Sequence, residues 1–349
     1  MAEQQNVSRR KFLTYAGLGV AGLAATGAAV KIVSDQVATS DEASGDGSSG
    51  VPTAIRNTRC LWGAYVDPGD GTSIGAVENF ERTIGRRLDL TRHYIRWDRK
   101  LVNGPIEQSA KAGRIPLIAW HTQRLDGSWV RWRDIAKGKH DREIAAQAKL
   151  LREWGGEAYF VFNHEPENDP AGKAHDFAEA FDHVRATFEN DGVRRLHYVA
   201  TLMRGTYQGA RGGPGDWLPK TCDLLGADGY NRGACNPAIG WEAFDSIFHG
   251  AHQTAQAHRK GLVIEEWGCV ERGACGGTTA GESKAEWIAA AGATIQSWPE
   301  VRGVIYSQVN AAYQSEQVDF RVDTSPESLT SYREVGLRPT FTTRDPQLS

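Results

Sequence analysis

From Leu61 onward, short runs rich in β-branched and aromatic residues recur, each bounded by Gly, Pro, Asn or Asp and separated by longer stretches with helical spacing. Bounded apolar runs read as buried strands, and apolar positions three and four apart read as one face of a helix. Eight strands are expected, at Leu61–Val66, Arg92–Trp97, Ile115–Trp120, Ala158–Asn163, Leu196–Thr201, Leu224–Gly229, Leu262–Glu266 and Gly303–Gln308. Between them, Val77, Phe80 and Ile84 share a helical face, as do Ile144, Ala148 and Leu151, then Phe177, Phe181, Val184 and Phe188, then Phe244, Phe248 and Ala251. Start signals agree: Asp141 can cap the third helix, Ser283 with Glu286 forms a capping box, and Pro326 suits a first turn. Eight alternating units predict a closed (β/α)8 TIM barrel. A doubly wound open sheet usually has fewer strands and needs a topological switch point, which this order does not show.

Ahead of the strands the pattern changes. Residues 8–13, Ser-Arg-Arg-Lys-Phe-Leu, precede an apolar, Gly/Ala-rich stretch from Thr14 to Val30, a combination that resembles a twin-arginine export signal. The resemblance implies passage through the twin-arginine machinery in a folded state and a secreted or extracytoplasmic location. Membrane contact is expected only through segment 1–34, if uncleaved, because the stretch is short, Gly-rich and interrupted by Lys31. Gly17 to Gly22 fits G-x-G-x-x-G but follows no strand, so it is not read as a nucleotide site. Residues 35–50 concentrate Ser, Gly and Asp without apolar periodicity and read as a flexible linker. The barrel is assigned to 51–349.

Composition narrows the function classes. Across 349 residues, 40 Lys+Arg face 43 Asp+Glu, a balance that argues against a nucleic-acid partner. Trp is abundant, 11 against 2 Met, which supplies flat, rigid rings. Of the five Cys, Cys235, Cys269 and Cys275 fall in the loops after strands six and seven, where a disulfide is feasible outside a reducing compartment. No Cys/His spacing supports a zinc site, and no cofactor is expected.

In a barrel of this kind chemistry sits at the C-terminal ends of the strands. There the chain presents Arg96-Trp97-Asp98, Trp120-His121, Asn163-His164-Glu165-Pro166-Glu167-Asn168, Asp228-Gly229-Tyr230-Asn231, Glu265-Glu266-Trp267-Gly268 and Gln308. Two apolar strands run straight into carboxylates, and unpaired buried charge is costly. Strands four and seven lie across the barrel, so Glu165 and Glu266 can face one substrate. Such a pair suits glycoside hydrolysis, with one acid protonated for the leaving oxygen and the other ionised.

These motifs resemble clan A retaining glycoside hydrolases, and glycoside hydrolase family 26 (β-mannanase-like) in particular, over most of the folded region. That family places a His before the acid/base Glu, as His164-Glu165 does, and its nucleophile stands two residues before a Gly, as in Glu266-Trp267-Gly268. The resemblance implies that Glu165 is the acid/base, Glu266 the nucleophile, and Tyr230 a hydrogen-bond donor to it. It also implies a covalent glycosyl-enzyme and a β-linked polysaccharide substrate: β-mannan, mixed-linkage β-glucan or xylan. The chain departs from the family in Pro166-Glu167-Asn168, where Met-Asn-Gly is common, and in carrying Gln308 near the position of a Trp.

Several assignments have rivals. Glu167 competes with Glu165. Glu265 competes with Glu266, but in a strand the two point to opposite faces, so only one can enter the mouth, and the Gly spacing favours Glu266. Arg96 either pairs with Asp98 or keeps Glu266 ionised. His121, His164, Asn231 and Gln308 are candidate sugar contacts, and Trp97, Trp120, Trp217 and Trp267 are candidate stacking platforms. A non-catalytic carbohydrate-binding barrel and a metal-dependent barrel hydrolase are the alternative functions.

Overall fold

The computed structural model describes residues 60–69, 72–236, 238–313 and 316–341. The segments expected to serve as export signal (1–34) and linker (35–50) lie outside the described residues. Eight parallel strands, β1 (Leu61–Val66), β2 (Leu90–Arg96), β3 (Ile115–His121), β4 (Ala158–Phe162), β5 (Leu196–Met203), β6 (Leu224–Asn231), β7 (Gly261–Cys269) and β8 (Val301–Gln308), pair in chain order, and β8 closes on β1. Around them run α1 (Ser73–Ile84), α2 (Gly104–Lys111), α3 (Trp132–Ala136), α4 (Asp141–Trp154), α5 (Ala174–Asn190), α6 (Arg204–Tyr207), α7 (Phe244–Ala257), α8 (Lys284–Ser297) and α9 (Pro326–Gly336). A hairpin of β9 (Asn310–Tyr313) and β10 (Glu316–Asp319) follows β8. The chain is therefore the (β/α)8 barrel that the pattern predicts.

Closure divides the apolar residues into two layers. Leu90, Ile115, Leu117, Ala119, Tyr159, Val161, Val199, Val263 and Ile305 fill the barrel interior. Residues of the opposite parity, such as Ile118, Phe160, Ala200, Leu225 and Val304, pack outward against the helices. Because strands in such a fold are buried on both faces, hydrophobicity alone does not mark the inner one.

This parity corrects the assignment of the stacking platforms. Trp97, Trp120, Trp217 and Trp267 all belong to the outer layer and are nearly or wholly buried. Trp97 and Trp120 stack on each other with centroids 4.1 Å apart. Trp267 lies among Trp62, Phe244, Trp287 and Tyr306, and Trp217 packs on Trp132 and Phe177. None offers a face to a sugar.

Local signals fare unevenly. Ser283 and Glu286 form the expected capping box of α8, and Pro326 opens α9. Asp141 is instead the first residue of α4, after His140, and its Oδ1 meets His183 Nε2 at 2.6 Å. A disulfide, Cys235–Cys275, joins the loops after β6 and β7, while Cys60, Cys222 and Cys269 are buried thiols. Among the described residues no helix is long and apolar enough to cross a membrane.

Since Trp120 is wholly buried, Trp120→Ala should lower the unfolding free energy by about 3–5 kcal/mol in a urea titration. A variant of unchanged stability would contradict its place in the outer layer.

Candidate active site

The site starts where β4 stops. Asn163 and Glu165 both take left-handed backbone conformations, with φ of 50° and 47°, which for a residue such as Glu costs about 1–3 kcal/mol. Neighbouring bonds hold this turn. Asn163 Oδ1 accepts from the Thr122 N–H at 3.0 Å and from its hydroxyl, while Asn163 Nδ2 donates to Asp169 Oδ2 at 2.6 Å. Pro166 then opens a 3-10 turn. The result places the Glu165 carboxyl at the barrel mouth with only 7% of the residue exposed.

Opposite it, β7 carries an irregularity. Ala227 and Asp228 of β6 pair with Ile264 and Glu266, so Glu265 is an extra residue on β7, and the β7–β8 register also shifts between Ile264 and Trp267. Such a bulge breaks strict alternation. Glu265 and Glu266 therefore both reach the interior, which corrects the expectation that only one can.

A single guanidinium lies beneath them. Arg92, in the middle of β2, is fully buried: Nη2 stands 3.4 Å from Glu266 Oε1, and Nη1 stands 3.5 Å from Glu265 Oε2 and 3.7 Å from Asp228 Oδ1. Nη1 also donates to the Glu265 carbonyl at 2.8 Å. Glu266 is held further by Tyr94 Oη and Tyr230 Oη, which donate to Oε1 and Oε2 at 2.5 Å each. His164 Nε2 lies 2.5 Å from Asp228 Oδ2 and 3.1 Å from Glu266 Oε1.

These contacts separate the acids electrically. Burial disfavours the charge on Glu266, but Arg92, His164 and the Tyr230 hydroxyl outweigh it and hold the carboxyl well below its usual range. Burial drives Glu165 the other way; His164 opposes this, Asp228 and Glu266 add to it, and the acid is pushed well above its usual range. His164 is itself raised, because Asp228 and Glu266 overcome its burial and the repulsion of Arg92, so it carries an imidazolium. One carboxylate and one carboxylic acid thus share the mouth, and one oxygen of each lies within 4.8 Å of the other.

His164, Glu165, Asp228 and Glu266 bring one ligand-type atom each inside that same distance. Their countercharge comes from Arg92 and the His164 imidazolium, so the cluster reads as an acid–base site rather than a set of metal ligands.

Other residues fall elsewhere. Arg96 lies higher on β2 and bonds to Gln123 Oε1, so the contact with Glu266 expected of it is made by Arg92. His121 stands on the rim, 3.3 Å from Asp169 Oδ2 and beside the half-buried Trp129 ring. Asn231 is buried and accepts from the Gly233 and Glu242 N–H groups, which ties it to its own loop rather than to a ligand. Gln308 uses both ends of its amide on Asp323 and Val322, and is at most a wall of the groove of about 530 Å³ beside α1. Glu167 accepts from the Met203 N–H at 2.9 Å, at the start of α6. Arg92 and Tyr94 were not singled out from the sequence, although they share the inner parity of Leu90, and Asp228 stood in a strand-end motif without a role of its own.

Comparison with known proteins agrees with this picture at the level of fold. No family model matches the chain. It is 27% identical over 294 residues to Endoglucanase H of Acetivibrio thermocellus, covering 78% of this chain and 30% of that protein. The chain therefore spans under a third of the length of that relative. Among solved structures it resembles the glycoside hydrolase family 26 β-mannanase of Bacteroides ovatus (TM-score 0.56, 11% identity, 81% of this chain and 90% of that one). It also resembles the modular endo-β-1,4-mannanase of Cellulomonas fimi (0.56, 15%, 82% and 72%). A third match is the catalytic domain of a family 26 endo-β-1,4-mannanase from Bacillus sp. JAMB-750 (0.54, 14%, 80% and 85%).

Removing the guanidinium leaves buried carboxylates uncompensated, so Arg92→Met should destabilise the fold by about 3–5 kcal/mol at neutral pH. Glu266, depressed in the folded wild type, contributes stability that is present above the ordinary carboxylate pKa of about 4.3 and is lost as the pH falls through its lower folded value. The gap between wild type and variant should therefore narrow on acidification. Urea titrations across the acid range measure it, and a constant gap would contradict the pairing.

Proposed function

We propose that the protein is an exported retaining glycoside hydrolase that cleaves a β-linked polysaccharide through a covalent glycosyl-enzyme, with Glu165 as acid/base and Glu266 as nucleophile. The observation that carries the reading is the short approach of two oppositely tuned acids, with oxygens within 4.8 Å. Retaining enzymes hold their carboxyls about 5–5.5 Å apart, whereas inverting ones leave about 6.5–9.5 Å for a water.

In the first step the Glu165 carboxyl donates its proton to the glycosidic oxygen while a Glu266 oxygen bonds to the anomeric carbon. The carbon–oxygen bond breaks with its electron pair going to the leaving alcohol. In the second step Glu165, now a carboxylate, takes a proton from water; the water oxygen bonds to the same carbon and Glu266 departs as a carboxylate. Tyr94 and Tyr230 fix the orientation of Glu266, and the His164–Asp228 pair fixes its electrostatic surroundings. On the rim, His121 is the retained candidate for a sugar contact, and Arg96, released from the contact with Glu266, is a second. The half-buried Trp129 ring beside His121 is the candidate aromatic surface in place of the four buried Trp.

Substrate class follows from the likenesses. A relative named an endoglucanase and neighbours named β-mannanases both support a β-linked glucan or mannan, with xylan a third choice implied by the family resemblance. The near-neutral chain charge suits an uncharged glycan. Export through the twin-arginine machinery is supported by Arg9-Arg10 and the apolar stretch after them.

Glu266→Gln should abolish hydrolysis of the responsive glycan, and Glu165→Gln should reduce it by roughly 10²–10⁴-fold, with less effect on substrates whose leaving group needs no proton. Proton NMR of the first product should show the anomeric configuration of the substrate retained. Hydrolysis that persists in Glu266→Gln, or an inverted product, would overturn the assignment.

A further inference from the structure

The β7 bulge leaves one buried acid, Glu265, that neither chemical step uses. Its residue is wholly buried. Oε1 accepts from the Thr201 hydroxyl at 2.7 Å, and Oε2 makes no hydrogen bond but lies 3.5 Å from Arg92 Nη1. The space for this carboxyl is built into the neighbouring strand: a Cβ at Gly226 would stand 2.7 Å from Glu265 Oε1 and closer still to Thr201 Oγ1. Asp228 Oδ1 is likewise without a hydrogen bond and faces the same nitrogen of Arg92. The guanidinium thus serves Glu265 and Asp228 from one nitrogen and Glu266 from the other.

We propose that Glu265 is a positioning residue for Glu266: as a neutral carboxyl it leaves Arg92 to the nucleophile, and as a carboxylate it competes for the same guanidinium. The inference rests on reading Glu266 as the nucleophile. When Glu265 is neutral, Arg92 and the His164 imidazolium balance the carboxylates of Glu266 and Asp228. When Glu265 ionises, a further negative charge enters a region closed to water and is drawn to Nη1. Glu266 must leave the anomeric carbon as a carboxylate in the second step, and it then does so with less of the guanidinium's stabilisation. Turnover falls as a result.

The groups that face Glu265 are Arg92 from β2, His164 from the turn after β4, Asp228 from β6, Glu266 beside it on β7 and the Tyr207 hydroxyl from α6. Burial raises the Glu265 carboxyl, Arg92 opposes the rise and Asp228 adds to it, leaving it at about 7. The change of state therefore falls in the neutral range.

The test uses the full chain in three forms: wild type, Glu265→Gln, which keeps the shape and removes the titration, and Thr201→Val, which removes the hydroxyl that stabilises the carboxylate. Each pH profile of kcat on the glucan or mannan that the wild type hydrolyses is normalised to its own maximum. From about pH 6 to pH 8 the wild type should lose about threefold or more, and Glu265→Gln less than about half as much on a logarithmic scale. In Thr201→Val the same decline should move to higher pH, because the carboxylate has lost a donor.

Thermal stability gives a readout that needs no substrate. A carboxyl whose folded pKa is raised favours the fold fully below the unfolded value of about 4.3 and loses that contribution as the pH passes the folded value. The wild-type Tm should therefore fall relative to Glu265→Gln between about pH 5 and pH 8. Parallel Tm curves would show that Glu265 does not titrate and would overturn the proposal. Diverging Tm curves with superimposable kcat profiles would overturn it equally, since Glu265 would then titrate without acting on Glu266. Failure of the underlying reading has a separate signature, hydrolysis that survives in Glu266→Gln.

Discussion

One buried cation sets the terms for the site. Arg92 is enclosed on β2 with Asp228, Glu265 and Glu266 around its guanidinium, and moving an ion into such an interior costs several kcal/mol unless it is matched. The neighbourhood holds four acids, counting Glu165, and two bases, counting His164. Two positive charges can balance only two negative ones. Glu266 takes the closest set of donors and stays ionised, Asp228 pairs with the His164 imidazolium, and Glu165 and Glu265 are left to hold protons. The division between a charged and a neutral carboxyl at the mouth therefore follows from the supply of countercharge.

That arrangement depends on two local departures from regular backbone. Without the bulge at Glu265, β7 could aim only one of its two acids inward, and Arg92 would face one carboxylate fewer. Without the left-handed turns at Asn163 and Glu165, β4 would continue past Phe162 and aim the acid differently. Both departures are stabilised by neighbouring groups: Gly226 leaves room for the first, and the Asn163 bonds to Thr122 and Asp169 hold the second. Strain of about 1–3 kcal/mol at such a position persists only where the surroundings over-determine it.

How far the sequence can be read follows the same division. The eight strands, most helix faces and the two motif acids were legible because they depend on local periodicity and on residues that follow one another directly. The inner face was not read, because parallel strands are apolar on both sides and their ends blur by a few residues. The strand expected from Arg92 to Trp97 has Arg92 as its first residue, whereas Leu90 begins the strand and puts Arg92, Tyr94 and Arg96 on one inner row. The same parity was available for the tryptophans. Counting from Ile115, Leu117 and Ala119 would have put Trp120 outside. Trp267 is a harder case, since the bulge resets the alternation just before it and no residue in β7 announces the bulge.

The barrel thereby keeps charge tuning and ligand shape on different parts of the chain. Arg92, Asp228, Glu265 and Glu266 lie on strands whose spacing is fixed by the closed hydrogen-bonded ladder, so their mutual distances are insensitive to the loops. Trp129, His121 and Arg96 sit at the rim, and the loops after β6 and β7 are joined by Cys235–Cys275, with the Arg272 guanidinium 4.4 Å from the Trp241 ring. A change confined to these loops therefore leaves the charge balance around Arg92 undisturbed.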